Sequence, residues 1–128
     1  NYIEMRKISS ILILFLFFRC DSIKTKNKIG VQFFLDVKYP ELYENAFLKL
    51  RKQIEPILDG GEMIMAKIHD GEVMNANYYT LIKARDIEHL RFILDTIPKT
   101  QYHKDYKIKI GLEKGYVKII SSASVEFK

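Results

Sequence analysis

Three histidines, His69, His89 and His103, are the side chains best suited to proton transfer or metal ligation, and none of them sits in a recognisable motif. His69 beside Asp70, with the thioethers of Met63 and Met65 a few residues away, comes nearest to a soft-metal site. No HxxxH or HExxH spacing places two ligands on one helix face, so no metal and no cofactor is assigned. His89 falls on an expected helix and reads as a solvated residue. Ser121, Ser122 and Ser124 close the last strand without the G-x-S-x-G elbow that activates a serine. Asp36 and Glu62 are the acids that could face one another for acid–base work. Gly60, Gly61 and Gly71 mark turns, because no Lys-Ser/Thr follows to complete a phosphate loop. Nothing here specifies a reaction, and the reading leans away from an enzyme.

Charge points to no particular class of partner. The chain carries 21 basic and 16 acidic residues, a net +5. Arg6, Lys7 and Arg19 against Glu4 precede Cys20, so the chain beyond Cys20 is only +3. Nucleic acid calls for a dense basic stripe, and strand 30–37 (GVQFFLDV) lacks the aromatic pattern of RNA-recognition sheets, so no nucleic acid is expected. With 48% hydrophobic and 29% charged residues the composition is that of a folding chain rather than a disordered one. Cys20 is the sole cysteine, which excludes an intramolecular disulfide.

The N-terminal order is Met5-Arg6-Lys7, eleven apolar or small residues from Ile8 to Phe18, and then Arg19-Cys20-Asp21. A basic start, a short apolar run and a polar boundary have the shape of a secretory signal. The run is shorter than the roughly 20 residues needed to span a bilayer. Leu16-Phe17-Phe18-Arg19-Cys20 resembles a bacterial lipoprotein signal, although Arg19 stands where such signals usually carry a small residue. The resemblance implies lipid attachment at Cys20, a membrane contact through the lipidated N-terminus, and a place on the periplasmic side of the cell envelope. A secreted or cytoplasmic protein is the alternative. On this reading residues 1–20 are a leader, 21–28 a polar tether and 29–128 one folded domain.

The elements of that domain follow from hydrophobic period. Val31, Phe33, Leu35 and Val37 alternate as one face of a strand. Pro40 opens a helix with Tyr43, Ala46, Phe47, Leu50 and Ile54 in one stripe, and Pro56 ends or bends it. Strands are expected at 62–69 and about 72–85, joined at Asp70-Gly71. Asp86 caps a second helix that Pro98 closes. Lysines alternate with Ile108, Ile110 and Leu112 across 106–113, which predicts a fourth strand, and 116–122 reads as a last one. The order resembles the ferredoxin-like α+β arrangement, βαββαβ, with an added C-terminal strand. The resemblance implies an antiparallel sheet with two helices on one face.

Alternation then places Ile64, Ala66 and Ile68 inside and leaves Phe34, Met63, Met65, Asn75, Asn77 and Tyr79 on the uncovered face, a mixture suited to contact with a protein. The functional expectation is an exported, membrane-tethered binding protein that meets an unknown protein partner through this open face, an immunity-type inhibitor being one version. The alternatives are a small ligand- or metal-binding domain or enzyme using the same face, and a structural homodimer. Lysines 104, 107, 109, 114 and 118 read as a protected sheet edge.

Overall fold

The computed structural model describes residues 27–71 and 75–128. Cys20 and the apolar run before it lie outside these residues. Strand β1 (Ile29–Val37) keeps the expected alternation, with Leu35 and Val37 buried and Val31 and Phe33 packed against the same core. Helix α1 (Pro40–Gln53) starts with Pro40 in its first turn and buries Tyr43, Ala46, Phe47 and Leu50. Glu41 at its positive end and Arg51 and Lys52 at its negative end suit the helix dipole. The bend comes at Ile54, and Pro56 sits in the first turn of a short second helix, α2 (Glu55–Leu58).

Strand β2 (Glu62–Lys67) and strand β3 (Tyr78–Ala84) are shorter than their sequence patterns suggest. Helix α3 (Ile87–Thr96) begins at Asp86, whose carboxylate accepts from the His89 N–H at 2.8 Å, and a 3₁₀ turn at Ile97–Lys99 carries Pro98. Helix α4 (Gln101–Lys109) and strand β4 (Val117–Glu126) complete the chain.

The four strands form one antiparallel sheet in the order β2-β3-β1-β4. This is the ferredoxin-like α+β arrangement: β3 lies between β1 and β2, and β1 between β3 and β4. Helix α1 packs against α4, and α3 lies on β1 and β3. A bulge in β4 puts Ser121 opposite Phe34 but Ile119 opposite Leu35, so Ile120 is the extra residue.

The segment expected as a fourth strand is helical. Two residues of a strand spaced by two share an environment, but Ile108 is 78% exposed and Ile110 only 4%. Thr100 supplies the start by accepting from the His103 N–H. Gly111 supplies the stop, with φ +69, its own N–H on Ile108 and the Leu112 N–H on Lys107, which are the paired bonds of a Schellman cap. Val117–Glu126 is therefore the fourth strand of the arrangement, and no added strand follows among the described residues. Lys104, Lys107 and Lys109 accordingly belong to a helix rather than a sheet edge.

Strand β2 is also turned over relative to expectation. Met63 and Ile82 are Cα partners, as are Met65 and Thr80, so both methionines face the helices while Ile64 and Ala66 face outward. In EMIMAKIH the four central residues, Met63 to Ala66, are all apolar, so alternation offers no contrast there, and pairing with β3 sets the register instead.

Gly111 tests the cap. A Cβ there would collide with the Tyr116 ring at a backbone angle that side chains rarely adopt. Gly111→Ala is expected to cost about 2–4 kcal/mol in urea unfolding, adding overpacking to left-handed strain. Gly71→Ala, with φ +87 but open space around it, should lose only about 1–2 kcal/mol.

Candidate functional site

Between the sheet and the helical layer lies a cavity of about 350 Å³. It is partly open to solvent rather than a sealed void, and its volume would admit a small molecule. Every layer contributes to it. Phe33 and Leu35 come from β1, Thr80 and Ile82 from β3, Tyr43 and Phe47 from α1, and Leu94 from α3. His103, Tyr106, Lys107 and Ile110 line the α4 side, at the spacing of one helical stripe. Ile119, 58% exposed, stands at the rim.

The walls are apolar except for a few groups gathered toward α4. Tyr43 is 1% exposed, and its hydroxyl has no hydrogen-bond partner among the described residues. The Tyr106 phenol comes close enough to influence Tyr43, without hydrogen-bonding geometry between the two. Burial first, then the neighbouring Tyr106 and Tyr78, drives the Tyr43 pKa well above the ordinary phenol range. Burial likewise pushes Tyr106 up to about 12. The rings of His103 and Tyr106 lie 5.8 Å apart, and His103 Nδ1 is buried without a partner. Burial, and secondarily the Lys107 ammonium one turn on, lowers the His103 pKa. Tyr78 shows the contrasting case: its hydroxyl donates to Glu44 and is satisfied.

These groups are phenols held protonated and an imidazole disfavoured as a cation. They offer hydrogen bonds within a largely apolar lining, and such pockets with a few convergent polar groups are where small molecules bind. Among the described residues no carboxylate and no thiol belongs to the lining.

The residues expected on the open face divide. Phe34 and Tyr79 do stand there, directly opposite one another with ring centroids 6.2 Å apart. Met63 is in the core and Met65 packs against it, so neither is on that face. Asn75 is exposed in the turn before β3, with φ +69. Asn77 is occupied internally, its side chain accepting from the Val37 N–H at 2.8 Å and donating to the Val37 carbonyl at 2.9 Å. Cys20 lies outside the described residues.

Other candidates are kept apart. Asp36 pairs with Lys118 and Glu62 with Lys83, at opposite ends of the sheet about six residues, or roughly 20 Å, from each other. Ser121, Ser122 and Ser124 lie along β4 opposite Phe34, Phe33 and Val31. His69 is exposed beyond the end of β2, while Met63 and Met65 pack on the core. Among the described residues no three His, Cys, Asp or Glu side chains could jointly hold a metal ion.

His89 is buried rather than solvated. Its Nδ1 accepts from the Arg85 N–H at 3.1 Å, which leaves Nε2 to donate to the Leu58 carbonyl at 2.7 Å. Tyr106 was missed because 106–113 reads as a strand, and His103 because 99–104 reads as a polar loop before it. Thr100 as a cap, followed by His103, Tyr106 and Ile110 at three- and four-residue spacing, was the signal present in the sequence.

Fold and site thus define an α+β domain of ferredoxin-like order enclosing an apolar pocket. No protein-family model and no curated protein matches the chain. Among solved structures it is similar to a de novo designed protein, Foldit4, with a TM-score of 0.49 and 13% identity over 79% of this chain and 99% of that one. It is also similar to a Lactobacillus acidophilus protein assigned as a monooxygenase, with a TM-score of 0.49 and 18% identity over 77% of this chain and 43% of that one. At these values the likenesses carry no statement about activity.

The His103 environment has a measurable consequence. An NMR titration should place its midpoint below the ordinary 6.5, and Lys107→Met should recover only part of the shift, because burial is the larger cause. The folded state holds this proton more weakly than the unfolded chain does. The site therefore contributes stability above pH 6.5 that is lost as pH falls through the folded midpoint.

Proposed function

We propose that this domain binds a small, largely apolar molecule in the cavity between its sheet and its helices. The observation that carries the reading is an apolar space of about 350 Å³ lined by Tyr43 and His103, whose hydroxyl and Nδ1 are buried without a hydrogen-bond partner among the described residues. A buried hydroxyl left without a partner costs about 1–3 kcal/mol, which a ligand acceptor would offset. The volume falls at the lower end of small-molecule pockets, about 300–1,000 Å³.

The test is saturable binding of the apolar fluorophore N-phenyl-1-naphthylamine to the full chain, at one site per molecule. Leu94→Trp should fill the cavity and abolish that binding. If this variant unfolds, Ile119→Trp at the rim should block entry instead. Tyr43→Phe should raise stability by about 1 kcal/mol, since it removes a polar group with nothing to bond in the empty protein. Fluorophore binding unchanged by either tryptophan variant would rule the cavity out.

A protein contact through the open sheet face is a second reading, supported by the Phe34–Tyr79 pair, with Leu81 and Ile64 beside it and no described helix over it. The charges favour a second copy of this chain as the occupant. Glu62 and Lys83 lie at one end of the face and Asp36 and Lys118 at the other, so two-fold stacking sets an acid–base pair against an acid–base pair. Light scattering should then report twice the monomer mass, and Tyr79→Glu should return it to the monomer without lowering Tm by more than a few degrees. A monomeric wild type would exclude self-association through this face. Export and tethering through Cys20 remain part of this proposal, resting on the N-terminal pattern alone.

A further inference from the structure

The polar groups of the cavity are one-sided in what they can offer. Tyr43, Tyr106 and Thr80 bring hydroxyls, His103 an imidazole and Lys107 an ammonium, while no carboxylate among the described residues joins the lining. Tyr43 is held protonated, and its nearest polar neighbour is the Tyr106 phenol; His103 Nδ1 is buried with no partner among the described residues. Tyr106 ties the group together: its phenol is close to Tyr43, and its ring is 5.8 Å from that of His103. Lys107 follows His103 by one helical turn and is exposed, so the single positive charge stands at the mouth while the donors lie deeper. Away from α4 the walls are hydrocarbon and aromatic ring, with Phe33, Phe47 and Leu94 among them.

On the reading that the cavity is a ligand site, we infer that its ligand is a small amphipathic monocarboxylic acid. The apolar body lies against Phe33, Phe47 and Leu94, and the carboxylate turns toward Tyr43 and His103 with Lys107 balancing its charge. A phosphate ester, with up to two charges and three acceptor oxygens, asks for more cations than this lining supplies. A cationic head is disfavoured by Lys107 and finds no acid to pair with. A wholly apolar ligand leaves the buried His103 Nδ1 without a partner.

Decanoate and 1-decanol share a ten-carbon body and differ in the head, which makes them the discriminating probes. Displacement of N-phenyl-1-naphthylamine from the full chain at pH 7.5 is expected to favour decanoate at least tenfold. Lys107→Met should remove most of that preference by weakening decanoate and leaving decanol unchanged. Tyr43→Phe should weaken decanoate several-fold in a protein that is no less stable, which separates lost recognition from lost folding. Equal displacement by acid and alcohol would overturn the carboxylate inference while the pocket reading stands. Displacement by neither, with the fluorophore bound, would do the same. Failure of the fluorophore itself to bind would overturn both.

Discussion

The edge-to-face contact of Tyr43 on Tyr78, with ring centroids 5.5 Å apart, joins the helical layer to the sheet. Tyr43 also lies against Phe47 one turn along α1, and all three rings are at most 1% exposed. Burying such side chains stabilises by about 1.5–3 kcal/mol each, and an aromatic pair adds about 0.5–1.5 kcal/mol. The contact also fixes which hydroxyl is satisfied. Tyr78 finds Glu44, on the same helix as Tyr43, whereas Tyr43 lies beside the Tyr106 phenol of α4 at the wall of the cavity. Core and cavity are therefore two sides of one aromatic cluster, and moving α1 to close the cavity would break the pair that holds the layers together.

A second set of bonds pins the opposite end of the helical layer. His89 spans from the Arg85 N–H to the Leu58 carbonyl, so the start of α3 is tied to the end of α2. Arg85 donates to the Asp59 carbonyl at 2.6 Å, across the turn in which Asp59 takes φ +45. Together they hold the α2–β2 turn against α3. With one end fixed by hydrogen bonds and the middle by aromatic rings, the space that remains lies toward α4. There the packing partners are His103, Tyr106 and the flexible stem of Lys107 rather than close-fitting aliphatic groups.

Much of this architecture was legible in the residues, and the parts that were not share a cause. Strand β1 alternates strongly, helix α1 carries a clean stripe after Pro40, and Asp86 is an unambiguous cap, so each matched its local pattern. Strand β2 failed because methionine and isoleucine on adjacent positions leave the period of two without contrast, and its faces are chosen by β3. The α4 segment failed because KIKIG alternates as a strand would, although Ile108 is left in solvent and only Ile110 is buried. Where the local signal is ambiguous, long-range pairing or a cap a few residues away decides. Phe34 and Tyr79 do lie opposite one another, although the sequence left the register of the third strand open, because a slip of one residue would exchange its faces.

The cavity was invisible for a different reason. It is a property of distance between layers, and no residue type announces a space left between its neighbours. Tyr43 reads in the sequence as one more core aromatic, and the same stripe that identifies it as core hides its unpaired hydroxyl. What distinguishes it is a combination no single position carries: a helix that turns its polar stripe inward, a sheet face lined by Phe33 and Thr80, and a rim of aliphatic residues. A chain selected only for stability would close such a space or exchange the phenol for phenylalanine, since voids and orphan hydroxyls both destabilise. That this protein retains both, inside a core otherwise packed with rings and branched aliphatics, is the physical reason to look for function on the inner side of the sheet.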